Sequence, residues 1–289
     1  MTARPIIDAH HHVWDLAVRP QPWIAGPELA PLARSFTVAD LAPQARAAGA
    51  VATVVVQTVC IPEETPELLA LAACDPLVAG VVGWTDLTAP GVADTLAALR
   101  ELYGGHRLVG IRHQVQEEPD PNWLLRPAVR RGLTAVAEAG LVYDLVVRAH
   151  QLPAVIRAVA EHPDLTFVLD HLGKPPIATG MRHPWSSDLR RLGKLSNIFC
   201  KLSGMVTETG PGTWRIEDLQ PYVHTALEAF GPERLLFGSD WPVCTLRADY
   251  AQVVRAADWL TAGLSPGEKD AVFHRSAARV YGLHLPVPD

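Results

Sequence analysis

Ile6-Ile7-Asp8-Ala9-His10-His11-His12-Val13-Trp14-Asp15 is the stretch from which the rest of the chain is read. Two β-branched residues mark a buried strand, and an acid and three histidines follow where that strand should pass into a loop. Side chains two apart on a strand share a face, so His10 and His12 converge on one point and His11 faces away. Convergent imidazoles at a strand end suit a divalent metal, or a carbonyl that must be polarised.

From Ala52 onward a short β-branched run, ending in a polar residue, alternates with a helical stretch rich in Ala and Leu. After Ile6-Ile7 the expected strands are Thr53–Val56, Val78–Trp84, Leu108–Ile111, Leu141–Val147, Leu165–Leu169, Ile198–Leu202 and Leu235–Phe237. Expected helices include Ala39–Ala48, Pro66–Ala73, Ala93–Tyr103, Leu124–Ala139, Leu152–Glu161, Ser187–Leu195, Glu217–Phe230, Tyr250–Thr261 and Glu268–Tyr281. Alternation of this kind implies parallel pairing. Eight units in 289 residues predict an α/β fold, a single (β/α)8 TIM-type barrel spanning 1–289. No Gly-x-Gly-x-x-Gly follows the first strand, which argues against a dinucleotide-binding sheet.

Loop lengths agree. Helix-to-strand connections are short and marked by Gly49, Gly140, Pro163-Asp164 and Gly231-Pro232. Strand-to-helix connections are long and chemically loaded, from 13 to 36, 113 to 122, 172 to 186 and 203 to 216. A barrel enzyme carries its site on that face.

A net charge of −6 leaves no basic footprint for nucleic acid, and no run of about eighteen apolar residues would span a membrane. The segment before Ile6 shows no signal-peptide pattern. Cys60, Cys74, Cys200 and Cys244 form no C-x-x-C pair, so reduced packing thiols in a cytoplasmic protein are expected. Trp123 and Trp259 are likewise expected to pack on helices.

If the strand ends ring one pocket, it receives His10 and His12, Gln57, Trp84, Arg112-His113 with Gln116, Asp144, Arg148, His150, Asp170-His171, Lys201, Ser203 and Ser239-Asp240-Trp241. A packed core would not be built from such residues. Plainer roles compete: Asp240 as a backbone cap, His171 as a satisfied structural histidine, Arg112 as half of an ion pair. Asp144, inside strand five, reads as part of a buried polar network.

Asp8-x-His10-x-His12, His171 and Asp240 together resemble the amidohydrolase superfamily. The strings Gly110-Ile-Arg-His-Gln-Val-Gln116, Leu169-Asp-His-Leu-Gly-Lys-Pro175, Lys201-Leu-Ser-Gly204 and Leu236-Phe-Gly-Ser-Asp-Trp-Pro242 narrow it to the sugar-lactone hydrolases, the L-fuconolactonase and L-rhamnonolactonase-like group. The resemblance implies a hydrolase that opens a small lactone to its hydroxy acid. A decarboxylase or amidase on the same barrel, or a lactonase of aromatic degradation, are the alternatives; a non-catalytic sugar-acid binder would lack some of these strand-end groups.

Under that resemblance Asp240 shuttles the proton, while His10, His12 and His171 surround the carbonyl. Strand five lacks the superfamily's lysine or histidine, so one divalent ion, Zn or Mn, on His10, His12 and Asp240 is expected, with His171 a further candidate. Direct hydrogen bonding without metal is the other version. Arg112, His113, Gln116 and Lys174 are candidates for substrate hydroxyls or the new carboxylate, and Trp14, Trp84 and Trp241 for the pocket walls. The expected partner is the lactone itself, with no nucleic acid and no membrane; a homo-oligomer stays open.

Overall fold

In the computed structural model, residues 4–283 are described. Eight strands pair parallel in chain order: β1 Ile6–His11, β2 Ala50–Val56, β3 Val78–Gly83, β4 Leu108–His113, β5 Val142–Leu145, β6 Phe167–Leu169, β7 Ile198–Leu202 and β8 Leu235–Phe237. Helices α1 Val38–Ala47, α2 Glu64–Cys74, α3 Val92–Glu101, α4 Pro127–Glu138, α5 Leu152–Glu161, α6 Trp185–Leu192, α7 Ile216–Phe230 and α8 Tyr250–Leu260 follow the strands in turn. The expected (β/α)8 barrel is the fold. Among the described residues no helix is long and apolar enough to cross a membrane.

Three boundaries differ from expectation for physical reasons. β1 runs on through the polar residues to His11, because Asp8 and His11 still pair with Thr53 and Val55 of β2 across a register shift between them, and the His11 Nε2–H donates to Thr53 Oγ1 at 2.9 Å. The helix expected from Leu124 breaks at Arg126, whose extended ψ of 138° is what a following Pro127 imposes. The last helix divides into α9 Pro266–Asp270, a π-turn at Ala271–Arg275 and α10 Ser276–Val280. Trp259, expected to pack, is 45% exposed, and Cys74 lies at the surface.

Two layers of apolar packing result. The larger fills the space between strands and helices, with Leu41, Leu69, Leu133, Val155, Leu189 and Val223 at no more than 1% exposure. A smaller cluster of Val54, Val56, Val82, Val142, Val168 and Leu236 shares strand faces with the polar groups above it and is met from below by Tyr281. Each such side chain contributes about 1.5–3 kcal/mol when fully buried.

Closure of the ring rests on a polar clasp between β1 and β8. Ser239 donates its backbone N–H to Asp8 Oδ1 at 2.8 Å and its hydroxyl to Asp8 Oδ2 at 2.6 Å. Asp240 N–H donates to the His10 carbonyl (2.8 Å), and His12 N–H to that of Trp241 (2.7 Å). Gly238 permits this approach, since a Cβ there would stand 2.8 Å from His10 Cβ. Asp8→Ala orphans the Ser239 donors in a buried seam. Loss of about 2–3 kcal/mol of stability is expected, read as a lowered urea midpoint.

Candidate active site

At the C-terminal ends of the strands lies a cavity of about 390 Å³, at the small end of the roughly 300–1,000 Å³ typical of small-molecule sites. His12, Arg112, Gln116, His171, Lys174 and Asp240 border it. His10, with no exposed surface, lies beneath its floor.

Three donor atoms converge there, with a fourth, on His171, beside Asp240. His10 Nε2 and His12 Nε2 stand 3.1 Å apart; Asp240 Oδ1 is 3.8 Å from the first, 3.7 Å from the second and 3.9 Å from His171 Nε2. All four lie on strand ends or the residues just beyond them, which is why groups 230 positions apart in sequence meet.

Hydrogen bonding sets the tautomers. His12 Nδ1 lies 2.7 Å from the Val56 carbonyl, which can only accept, so the proton sits on Nδ1 and Nε2 presents a bare lone pair. His171 Nδ1 pairs with Ser203 Oγ at 2.9 Å. His10 Nδ1 lies between Lys201 Nζ at 3.2 Å and Asp170 Oδ1 at 3.3 Å, so either tautomer finds a partner. Burial drives all three imidazoles to the neutral form, His171 to a pKa of about 3. Two lone pairs 3.1 Å apart then call for a proton on His10 Nε2 or a cation between them, with the Arg112 Nη1–H at 3.4 Å a further, weaker partner for His10 Nε2.

That requirement is the test of fit for a metal. Tetrahedral zinc with bonds of about 2.0–2.1 Å holds its ligand atoms roughly 3.3–3.4 Å apart, and the separations here bracket that value. Neutral imidazoles and one carboxylate are a zinc donor set. The residues fit one ion on His10, His12 and Asp240, with His171 beside it. At strand five the inward residue is Asp144, whose carboxylate is held by Lys201 Nζ at 2.5 Å.

Beneath the imidazoles runs a buried ionic chain. Lys201 Nζ lies 3.0 Å from Asp170 Oδ1, and Arg112 Nη1 donates to Asp170 Oδ2 at 2.9 Å. Burial works against the Asp170 charge, but Lys201, His10 and Arg112 outweigh it and hold the carboxyl well below its usual range. Arg112 also donates to the Gln57 carbonyl at 2.5 Å and to its Oε1 at 2.9 Å. Tyr281 Oη closes the lower end on Asp144 at 2.9 Å.

Backbone strain concentrates at the same place. His171 (φ 53°), Leu172 (53°), Lys174 (50°) and Asp240 (59°) are the non-glycine residues in the left-handed region among those described. Each such conformation costs of order 1–3 kcal/mol and persists only where surroundings enforce it. One enforcer is visible: a Cβ on Gly204 would fall 2.5 Å from His171 Nδ1.

Several expected site residues stand elsewhere. The Arg112 guanidinium is committed to Gln57 and Asp170, so it offers the cavity charge more than free donors. His113 turns outward: it accepts from Trp84 Nε1–H at 3.0 Å, donates to Glu118 at 2.8 Å and stacks on Trp123. Trp84 is therefore occupied there and does not wall the cavity. Trp14 packs on Trp23 and Phe36 with its N–H on the Arg34 carbonyl, and Trp241 packs edge-on against Phe36. The tryptophan at the cavity is Trp23. His150 is exposed on a 3-10 turn. Sequence reasoning passed over Gln114, Trp23 and Glu208, which sit in aperiodic loops where nothing in local composition signals direction.

Lys201→Met would leave Asp144 and Asp170 without their shared cation; about 3–5 kcal/mol of destabilisation is expected in chemical denaturation. One equivalent of Zn2+ should bind in competition with a chromophoric chelator. Gly204→Ala, by displacing His171 and its Ser203 support, should weaken that binding about tenfold.

Comparison with known proteins agrees with the geometry. An L-fucono-1,5-lactonase of Burkholderia multivorans is 38% identical over 294 aligned residues, covering 97% of each chain. One of Burkholderia ambifaria is 34% identical, covering 98% of this chain and 97% of the relative. A crystal structure of a Burkholderia multivorans amidohydrolase with bound Zn superposes with a TM-score of 0.90 at 38% identity, covering 96% of this chain and 99% of the other. The amidohydrolase family model matches residues 7–283, and the chain belongs to that family.

Proposed function

We propose that the protein hydrolyses a small sugar lactone, of the L-fucono-1,5-lactone kind, to the open hydroxy acid. The observation that carries this reading is one carboxyl, Asp240, facing three neutral imidazoles at the floor of a polar cavity. Identity with the Burkholderia lactonases over nearly the whole chain supports it.

Ester hydrolysis requires a base for water, stabilisation of the developing oxyanion and an acid for the departing ring oxygen. In the metal-free site burial pushes the Asp240 carboxyl up to about 7, with Lys174 and Arg112 opposing the rise, the range in which a carboxyl exchanges a proton readily near neutrality. Asp240 takes a proton from the attacking water as its oxygen bonds to the carbonyl carbon. The tetrahedral adduct collapses by breaking the bond to the ring oxygen, and Asp240 returns the proton to that oxygen. Both products of the cleavage stay on one molecule, the hydroxy acid.

His10, His12 and Asp240 would hold a zinc ion, which supplies Lewis-acid polarisation of the carbonyl when bound. The Arg112 guanidinium, fixed by Gln57 and Asp170, adds a preorganised positive charge beside the floor. Lys174 and Gln116 border the cavity, and in this reading they meet hydroxyls or the carboxylate that forms.

The test is acid release, above the spontaneous rate, from a panel of five- and six-membered sugar lactones. Asp240→Asn should lower kcat by about 10²- to 10⁴-fold with the fold retained by circular dichroism. Near-normal turnover by that variant would remove Asp240 from the reaction.

A further inference from the structure

Glu208 lies on a short 3-10 turn, Thr207–Thr209, in the loop after β7, and its side chain borders the cavity. Among the described residues its carboxylate accepts no hydrogen bond and has no cation within 4 Å. Burial raises its proton affinity, with Lys174 and Arg148 offsetting the rise from a distance. Gln116 Oε1, on the same cavity, is buried and has no hydrogen-bond partner. A buried unmet acceptor such as Gln116 Oε1 costs about 1–3 kcal/mol, and the half-buried Glu208 carboxylate beside it likewise favours a ligand that brings donors.

The cations on this border are differently disposed. Arg148 is committed to Glu117 at 3.1 Å and to the Gln116 carbonyl at 3.1 Å. Lys174 makes no side-chain hydrogen bond among the described residues. The cavity thus presents an unpaired carboxylate, Glu208, an amide, Gln116, that can accept or donate, and the ammonium of Lys174. A vicinal diol donates and accepts at once and satisfies such a set. A carboxylate donates nothing: it gains Lys174 but sets its own charge and lone pairs against those of Glu208.

We infer that Glu208 determines substrate class, accepting hydroxyl hydrogen bonds from an uncharged polyhydroxylated lactone and repelling lactones that carry a second acid group. This rests on the lactonase reading and refines it. Glu208 is assigned to the substrate's hydroxyls and not to the reacting bond, so its removal should act mainly on KM and selectivity; because its charge also helps raise the Asp240 carboxyl, kcat is read at each variant's own pH optimum.

The experiment compares wild type, Glu208→Gln and Glu208→Ala on L-fucono-1,5-lactone and on glucaro-1,4-lactone, which bears a free carboxylate. Wild type should prefer the neutral substrate by about 100-fold or more in kcat/KM. Both variants should raise KM for it about 10-fold or more, the loss of a hydrogen bond to a charged group, with kcat within about threefold. Glu208→Gln, isosteric and uncharged, should also lower KM for the glucaro-lactone. Unchanged KM and unchanged preference in both variants would overturn the assignment. So would a kcat loss of about 100-fold at constant KM, which would put Glu208 on the reacting atoms. A wild-type protein inert on every neutral lactone would instead overturn the lactonase reading, and this inference with it.

Discussion

The ion pairs inside the barrel are the constraint on which the rest depends. Lys201 has no solvent exposure, and neither have Asp144 and Asp170. Removing such charges from water costs several kcal/mol per ion, so they persist only where each finds its counter-charge in good geometry. Lys201 lies between the two carboxylates, Arg112 caps the far side of Asp170, and Tyr281 caps the far side of Asp144. None of these groups can be displaced without stranding another. That mutual dependence makes a rigid pedestal, and His10 stands on it through Nδ1. The floor of the cavity is therefore fixed by electrostatics as much as by apolar packing.

Above the pedestal, strain replaces ion pairing as the organising feature. Asp240 and His171 both leave their strands through left-handed backbone. An unconstrained chain would relax there, but the β1–β8 clasp holds Asp240 by its N–H, and Gly204 lets Ser203 hold the His171 ring. Stability contributed by the barrel offsets this cost, and what results is convergence of three donor atoms, His10, His12 and Asp240, with His171 beside them. The same convergence serves a metal or a network of hydrogen bonds, because His10 can place its proton on either nitrogen. Local geometry and chemistry are thus set by elements that never touch a ligand.

Much of this was legible in the linear chain. Alternating β-branched and Ala/Leu-rich segments announced eight units, and the long strand-to-helix loops marked the functional face. The period-two rule placed His10 and His12 together and sent His11 to the other face, where it meets Thr53. Asp144 in a buried polar network followed from its place inside a strand. Less legible were the tryptophans and His113. An aromatic beside a strand end can turn toward the cavity or toward the loop next to it, and composition does not distinguish the two. Trp84 turned to His113 and Trp14 to Phe36, leaving the border to Trp23 from a loop with no period at all.

By itself the sequence determined the order of elements, the parallel pairing and the strand ends that carry chemistry, because side-chain periodicity and residue type act over a few positions. Only the tertiary structure decided which groups face the cavity and which are spent inside the protein. Arg112 is the instructive case: the same residue type at the same strand end would serve substrate if Gln57 and Asp170 were not within reach. Glu208 is the converse, an acid that reads as ordinary loop surface until the fold brings it to the border of the cavity, with no cation among the described residues close enough to pair with it. Both outcomes depend on distances between segments far apart in the chain, and those distances are set by barrel closure.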